Sequence, residues 1–210
     1  EGWGVAGRLT ATPYQQGENL IHVGIASDYR ELRSGSSVLS FKTSPESHLG
    51  GLKLVDTGTI VAAENYQVSG LEAAFVKDGF NGQAEYVRTD VERVGLADLA
   101  FDGWYAQMGY VITGEARPYK GNKFGRIKPK SVFGQGGTGA WEVVARYSTV
   151  DLSDKDVLGG EQDNFSVGVN WYATPTIRFM ANYVTVLEVK GGANDGVEPD
   201  IFQTRFQWAF

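Results

Sequence analysis

Cysteine is absent from this 210-residue chain, which removes disulfide scaffolds, thiolate metal sites and cysteine nucleophiles together. Histidine is nearly absent. His22 and His48 lie far apart with no HExxH-like spacing, so neither a metal nor any other cofactor is expected. A hydrolase would need a nucleophile with a base beside it. His22, on an expected strand, has no sequence partner to nominate, and carboxylate pairs cannot be ranked without geometry; the chain is not expected to be an enzyme. Excess positive charge is missing as well. The formal net charge is −6, against a general nucleic-acid binder, whose footprint is basic. No apolar run approaches the roughly 18 residues of a transmembrane helix. That excludes helical spans but not a closed barrel of alternating strands, in which only every second residue meets lipid. The chain starts with Glu1 rather than Met and carries no signal peptide, so it is expected to be a processed product or a fragment of something longer.

What is present is glycine (28 residues), aromatic side chains (12%) and a broad hydrophobic fraction of 42%, enough to exclude disorder. Helical periodicity is hard to find; alternation recurs. In the final run, Phe202, Thr204, Phe206, Trp208 and Phe210 share one face, and Gln203, Arg205, Gln207 and Ala209 the other. Trp141, Val143, Ala145 and Tyr147 alternate with Glu142, Val144, Arg146 and Ser148, and Phe165, Val167, Val169 and Trp171 with Ser166, Gly168, Asn170 and Tyr172. About ten strands are expected, near 3–12, 19–29, 37–44, 64–77, 79–89, 99–115, 140–149, 163–173, 177–188 and 201–210. Most have the roughly 9–11 residues a tilted strand needs to cross a bilayer. An aromatic face running to a terminal Phe suits a closing barrel strand at the membrane interface. The fold expected is thus all-β, a transmembrane antiparallel up-and-down barrel, with residues 1–210 as one domain.

The connections suggest sidedness. If the C-terminus lies in the periplasm, alternate connections should be short turns; Thr174-Pro175-Thr176 and Asp78-Gly79 fall where such turns are due. Residues 150–162 and 189–200 read as longer, polar extracellular loops. Residues 116–139 break the pattern, and a connection of that length without its own element usually has a job.

That connection, ARPYKGNKFGRIKPKSVFGQGGTG, carries Arg117, Lys120, Lys123, Arg126, Lys128 and Lys130 with no acidic residue between them. Arg offers a forked donor to phosphate-like groups and Lys a mobile point charge. Folded into a pore, the cluster would concentrate anions; left outside, it is a solvated basic turn. Arg8, Lys42, Arg146, Arg178 and Arg205 are expected on the face away from lipid, together with Glu72, Glu85, Glu115 and Glu142. Neutralising pairs such as Glu142–Arg146 are weighed there against a selectivity ladder. Two patterns are set aside. Gly134-Gln-Gly136-Gly137-Thr-Gly139 fits GxGxxG by letter but precedes a strand and opens no helix. Asp151, Asp154, Asp156, Glu161 and Asp163 read as an acidic solvated loop without the ordered spacing of an EF-hand.

The strings GRLTATP, LIHVGIASDYR, FKTSPESH, TGEARPYK, GAWEVVARYS, VNWYATPTIRFMANYV and FQWAF, in this order, resemble the phosphate-selective porin O and P family across nearly the whole chain. The resemblance implies a sixteen-stranded barrel, usually a homotrimer, in the bacterial outer membrane, among lipid and lipopolysaccharide, passing phosphate, pyrophosphate or other small anions. It implies an inward-folded segment after the TGE-RPYK motif, placing the six basic residues at 117–130 as pore candidates, with Arg8, Lys42, Arg146 and Arg205 beside them. The connection at 45–62, with His48 and Lys53, is a second candidate for inward folding. With about ten strands, the chain corresponds to the C-terminal half of the family or slightly more. A general, non-selective porin and a plugged structural or adhesin barrel are the readings that compete with it.

Overall fold

Alternation with period two puts successive side chains on opposite faces, and in the computed structural model of the chain it builds a single extended sheet. The structure describes residues 2–32, 38–47 and 51–209. Nine strands hydrogen-bond side by side: β1 (Gly4–Gln16), β2 (Asn19–Glu31), β5 (Ala63–Lys77), β6 (Phe80–Arg93), β7 (Leu99–Val111), β8 (Ala140–Asp154), β9 (Val157–Tyr172), β10 (Ile177–Lys190) and β11 (Asp200–Trp208). Every pairing is antiparallel between neighbours in that order. No helix occurs among the described residues.

The expected strand at 37–44 is not part of this sheet. Lys42–Thr43 forms β3, paired only with β4 (Val55–Asp56), and Leu39 bridges Ile60. The apolar alternation there has another cause. Leu39, Val55 and Ile60 are buried against Val91, Leu99, Phe101, Leu152 and Val157 of the sheet, with Phe41 packed beside them. Residues 150–162 also differ from expectation: β8 and β9 run through them to the two-residue turn Lys155-Asp156, where Lys155 has φ of 52°.

With 37–44 removed, the short turns Gly17-Glu18, Asp78-Gly79 and 173–176 share one end of the sheet with the long connection 112–139. Asn19 ties two of those turns together, accepting from the Asp78 backbone N–H at 2.7 Å. At the opposite end lie 94–98, Lys155-Asp156 and 191–199, and there β2 ends and β5 begins.

The two faces invert the order of a water-soluble sheet. Phe202 and Trp208 are 70% and 66% exposed, and Ile25, Leu71, Met108 and Phe206 are exposed beside them. On the other face His22, Asn81, Glu142, Gln162, Asn164 and Asn170 are buried. Aromatic rings cluster in rows on the apolar face. Trp141 stacks on Trp171 (5.5 Å), Trp171 on Phe179 (5.4 Å), and Phe179 leans on Phe206 (5.1 Å), all at the short-turn end. A second row runs through Trp104 and Tyr147, 5.3 Å apart, with Phe165 opposite Tyr147 in the register. On β8 and β9 the rows are roughly 20 Å apart along the strand, with Val143, Ala145, Val167 and Val169 between them.

Candidate functional site

The connection 112–139 lies against the polar face, and its first half is a small hairpin. Glu115 closes the base: its carboxylate accepts the Lys130 backbone N–H at 2.9 Å and the Thr113 hydroxyl. Lys130 Nζ donates to the Gly114 carbonyl at 2.7 Å. Burial alone would push the Glu115 carboxyl up; hydrogen bonds from Thr113 and the Lys130 backbone outweigh it and hold the group below its ordinary value. Further out, Gly125 N–H donates to the Pro118 carbonyl, Lys120 N–H to the Lys123 carbonyl, and Tyr119 bridges Phe124. The tip, Gly121-Asn122, has φ of 59° and 58°, the positive pair that a two-residue hairpin turn needs and that Gly and Asn tolerate.

From a base between β7 and β8 the hairpin reaches across to the far edge of the sheet. Asn122 donates to the Thr10 hydroxyl of β1 at 2.9 Å, and the Tyr119 ring lies 5.4 Å from that of His22 on β2. His22 is 2% exposed and its Nε2 sits 2.7 Å from Glu72, a partner fifty residues away that nothing in the local sequence signals. Arg8 pairs with the same carboxylate at 2.5 Å. On the returning arm Ile127 is fully buried with Val111, Ala140 and Tyr172.

The six basic residues of the segment divide into two groups. Lys120, Lys123, Lys128 and Lys130 are exposed, and Arg117 and Arg126 are partly buried. Arg117 reaches Glu142 at 3.2 Å and lies over the Phe124 ring at 5.1 Å. Glu142 is completely buried and accepts from Asn81, Arg117, Asn170 and the Tyr172 hydroxyl. Arg126 forms no ion pair among the described residues. Burial and the nearby Arg178 charge hold its guanidinium below the usual arginine range.

The strand-borne candidates do not form one ladder. Arg146 pairs with Glu46 at 3.0 Å and stacks 3.6 Å over the Tyr105 ring. The neutralising pair expected for it, Glu142, is instead committed to Arg117, because four residues along a strand put the two roughly 13 Å apart. Lys42 stands on β3, in the covering connection rather than on the sheet. Arg205 is exposed on the edge strand β11. Arg178 donates to Gln207 at 2.7 Å and to the Tyr172 hydroxyl at 3.4 Å. In the connection 32–62, Lys53 donates to Ser44 at 2.8 Å; His48 lies outside the described residues. The GxGxxG stretch makes turns before β8, with Gly134, Gly136 and Gly139 at positive φ. The acidic residues at 151–163 are built into the β8–β9 hairpin: Asp156 pairs with Arg93 at 2.5 Å and Asp154 accepts from the Ala100 backbone. Among the described residues no group of acidic and histidine side chains is arranged to hold a metal ion.

A family model described as phosphate-selective porin O and P matches residues 1–210. An uncharacterised protein of Caulobacter vibrioides is 32% identical over 182 residues, covering 86% of this chain and 36% of the relative. Porin O of Pseudomonas aeruginosa is 30% identical over 231 residues, covering 94% of this chain and 51% of the relative. The chain therefore spans about a third to a half of the length of these relatives.

Proposed function

We propose that this chain, which belongs to the phosphate-selective porin O and P family, forms part of the wall and the inner constriction of an outer-membrane channel for small anions. Family membership points to a channel rather than an enzyme. The observation that carries the reading is the basic hairpin laid across the polar face, with Lys120, Lys123 and Lys128 exposed and forming no ion pair among the described residues.

The inverted faces support a membrane setting. A sheet that buries asparagine and glutamate while exposing Phe, Trp and Leu is stable where its apolar face meets hydrocarbon and its polar face encloses water and protein. Rows of aromatic rings flanking a Val/Ala band match the girdles of such a wall. In this reading the outer face contacts outer-membrane lipid and lipopolysaccharide. The edges β1 and β11 pair with strands from the rest of a sixteen-stranded barrel, since unpaired edges are costly in lipid. A homotrimer is the assembly the family resemblance implies.

The mechanism is electrostatic. Exposed lysines in a confined polar space raise the local anion concentration and replace part of the hydration shell, and several weak sites in series let the ion leave. Phosphate or pyrophosphate is favoured over chloride in this reading, because donors on flexible stems can gather around several oxygens.

Recording single channels of the full-length protein in a chloride gradient, with phosphate titrated in, tests this. Anion-selective current blocked by phosphate is expected. Anion-selective current indifferent to phosphate would remove the phosphate preference; non-selective or cation-selective current would leave a general porin, and no current a plugged barrel.

A further inference from the structure

Charge around Tyr172 does not balance. Glu142 is the acid hydrogen-bonded there, and its two oxygens are taken by Asn81, Arg117, Asn170 and Tyr172. Two more guanidinium groups are near: Arg178 lies at the Tyr172 ring, and Arg126 is close enough for the Arg178 charge to act on it. Arg126 is delivered by the hairpin's returning arm, one residue before the buried Ile127 that packs on Tyr172. Arg178 comes from β10, with its Cζ 5.4 Å from the Tyr172 ring centre. Arg178 spends its two terminal nitrogens on neutral partners, Tyr172 and Gln207. Its Nε is buried without a partner, and so are Nε and Nη2 of Arg126. Neither arginine has a carboxylate partner among the described residues.

Water could fill the hydrogen-bonding capacity of these donors, but it would not cancel two like charges that repel each other with part of each group withdrawn from solvent. An anion would do both. Guanidinium edges present paired donors that match adjacent oxygens of an oxyanion, a geometry a single-centred halide cannot use. The side chain of Arg126 remains partly exposed, which leaves an entry route, while its enclosed nitrogens sit off the open polar space.

We infer that Arg126 and Arg178 hold a small resident oxyanion, phosphate-like in its chemistry, that pins the returning arm of the hairpin to β10. The ion is a bound structural element and not the permeating species. Its site is distinct from the exposed lysines that the channel reading uses.

The test is tryptic cleavage at Lys120 and Lys123 in the folded full-length protein, with inorganic phosphate replacing chloride at constant ionic strength. At phosphate ten times its dissociation constant, cleavage should slow by about ten-fold, as the bound fraction requires. In R126Q and in R178Q the rate should become indifferent to phosphate. R126K keeps the charge without the fork and should show a weaker but saturable protection. A wild-type rate independent of phosphate, equal protection in both Gln variants, or wild-type behaviour of R126K would each overturn the site. Protection through Arg126 in a wild-type channel without anion selectivity would sustain the resident ion while removing the channel reading. Anion-selective current without such protection would do the reverse.

Discussion

Arg117 on the hairpin and Glu142 on β8 are joined at 3.2 Å, with the carboxylate completely buried, and this contact fastens the connection to the sheet. Removing one member of a buried pair leaves the other charge without compensation, which costs on the order of 3–5 kcal/mol. E142A also strands donors from Asn81, Asn170 and Tyr172. Thermal unfolding of the folded protein should show E142A far less stable than R117Q. The double variant R117Q/E142A should lose less than the sum of the two single losses, as the coupling of a direct pair requires. Additive losses would mean that the contact does not carry the fastening.

The exposed lysines should carry selectivity. Replacing Lys120, Lys123 and Lys128 together with Gln is expected to lower the anion-to-cation permeability ratio by roughly ten-fold, the lower end of what a focused field supplies. Lys155→Gln is the comparison, because Lys155 sits in the turn between β8 and β9, at the end of the sheet opposite the hairpin's base. Reversal potentials in a salt gradient read both. Equal shifts per charge removed in the two variants would show that net charge, and not this segment, sets the preference.

Most of the sheet was legible in the sequence, because a period of two assigns every residue of a strand to a face at once. Trp141 and Glu142 are adjacent and go to opposite environments, as their types demand. The two misreadings share a cause. Leu39 and Phe41 alternate like a wall strand but pack onto the polar face of the sheet, where apolar side chains are also welcome. Asp151, Asp154, Gly159 and Gly160 look like a loop, yet the β8–β9 hairpin runs through them, pairing Asp151 with Glu161 and Asp154 with Val157. The site was legible as a cluster and not as contacts. Glu46 and Arg146 are a hundred residues apart, and Arg126 comes under the Arg178 charge through folding alone, so composition located the basic hairpin without showing which of its charges are already spent.

Stability in acid should depend on the turn at Lys155-Asp156. Forked hydrogen bonds from Arg93 hold the Asp156 carboxyl down to about 2, against an ordinary 3.8. A depressed carboxylate contributes fully above the unfolded value, and the contribution is lost as pH falls through the folded one. D156N should therefore be less stable than wild type at neutral pH, with the difference shrinking below about pH 3.8 and gone below about pH 2. Amide exchange across the β8–β9 turn, measured against pH, would show it. A difference that persists at pH 2 would point to packing and not to the charge.

The hairpin tip supplies the most selective test of how the segment is seated. A Cβ at Gly121 would meet nothing within 4 Å, so any effect of substitution there comes from the backbone, whose φ is 59°. Asn enters that region readily, whereas a branched residue pays roughly 1–2 kcal/mol. G121N should then behave as wild type, and G121V should loosen the tip. N122V adds the same strain and also removes the hydrogen bond to Thr10, so the double variant G121V/N122V should be the loosest. Because the tip holds Tyr119 over His22, loosening should appear as faster tryptic cleavage at Lys123 and as added noise in the open-channel current. Cleavage rates indistinguishable across the four variants would mean that the tip is not held on β1 and β2. A graded rate with quiet current would mean that the tip is seated but lies outside the ion path.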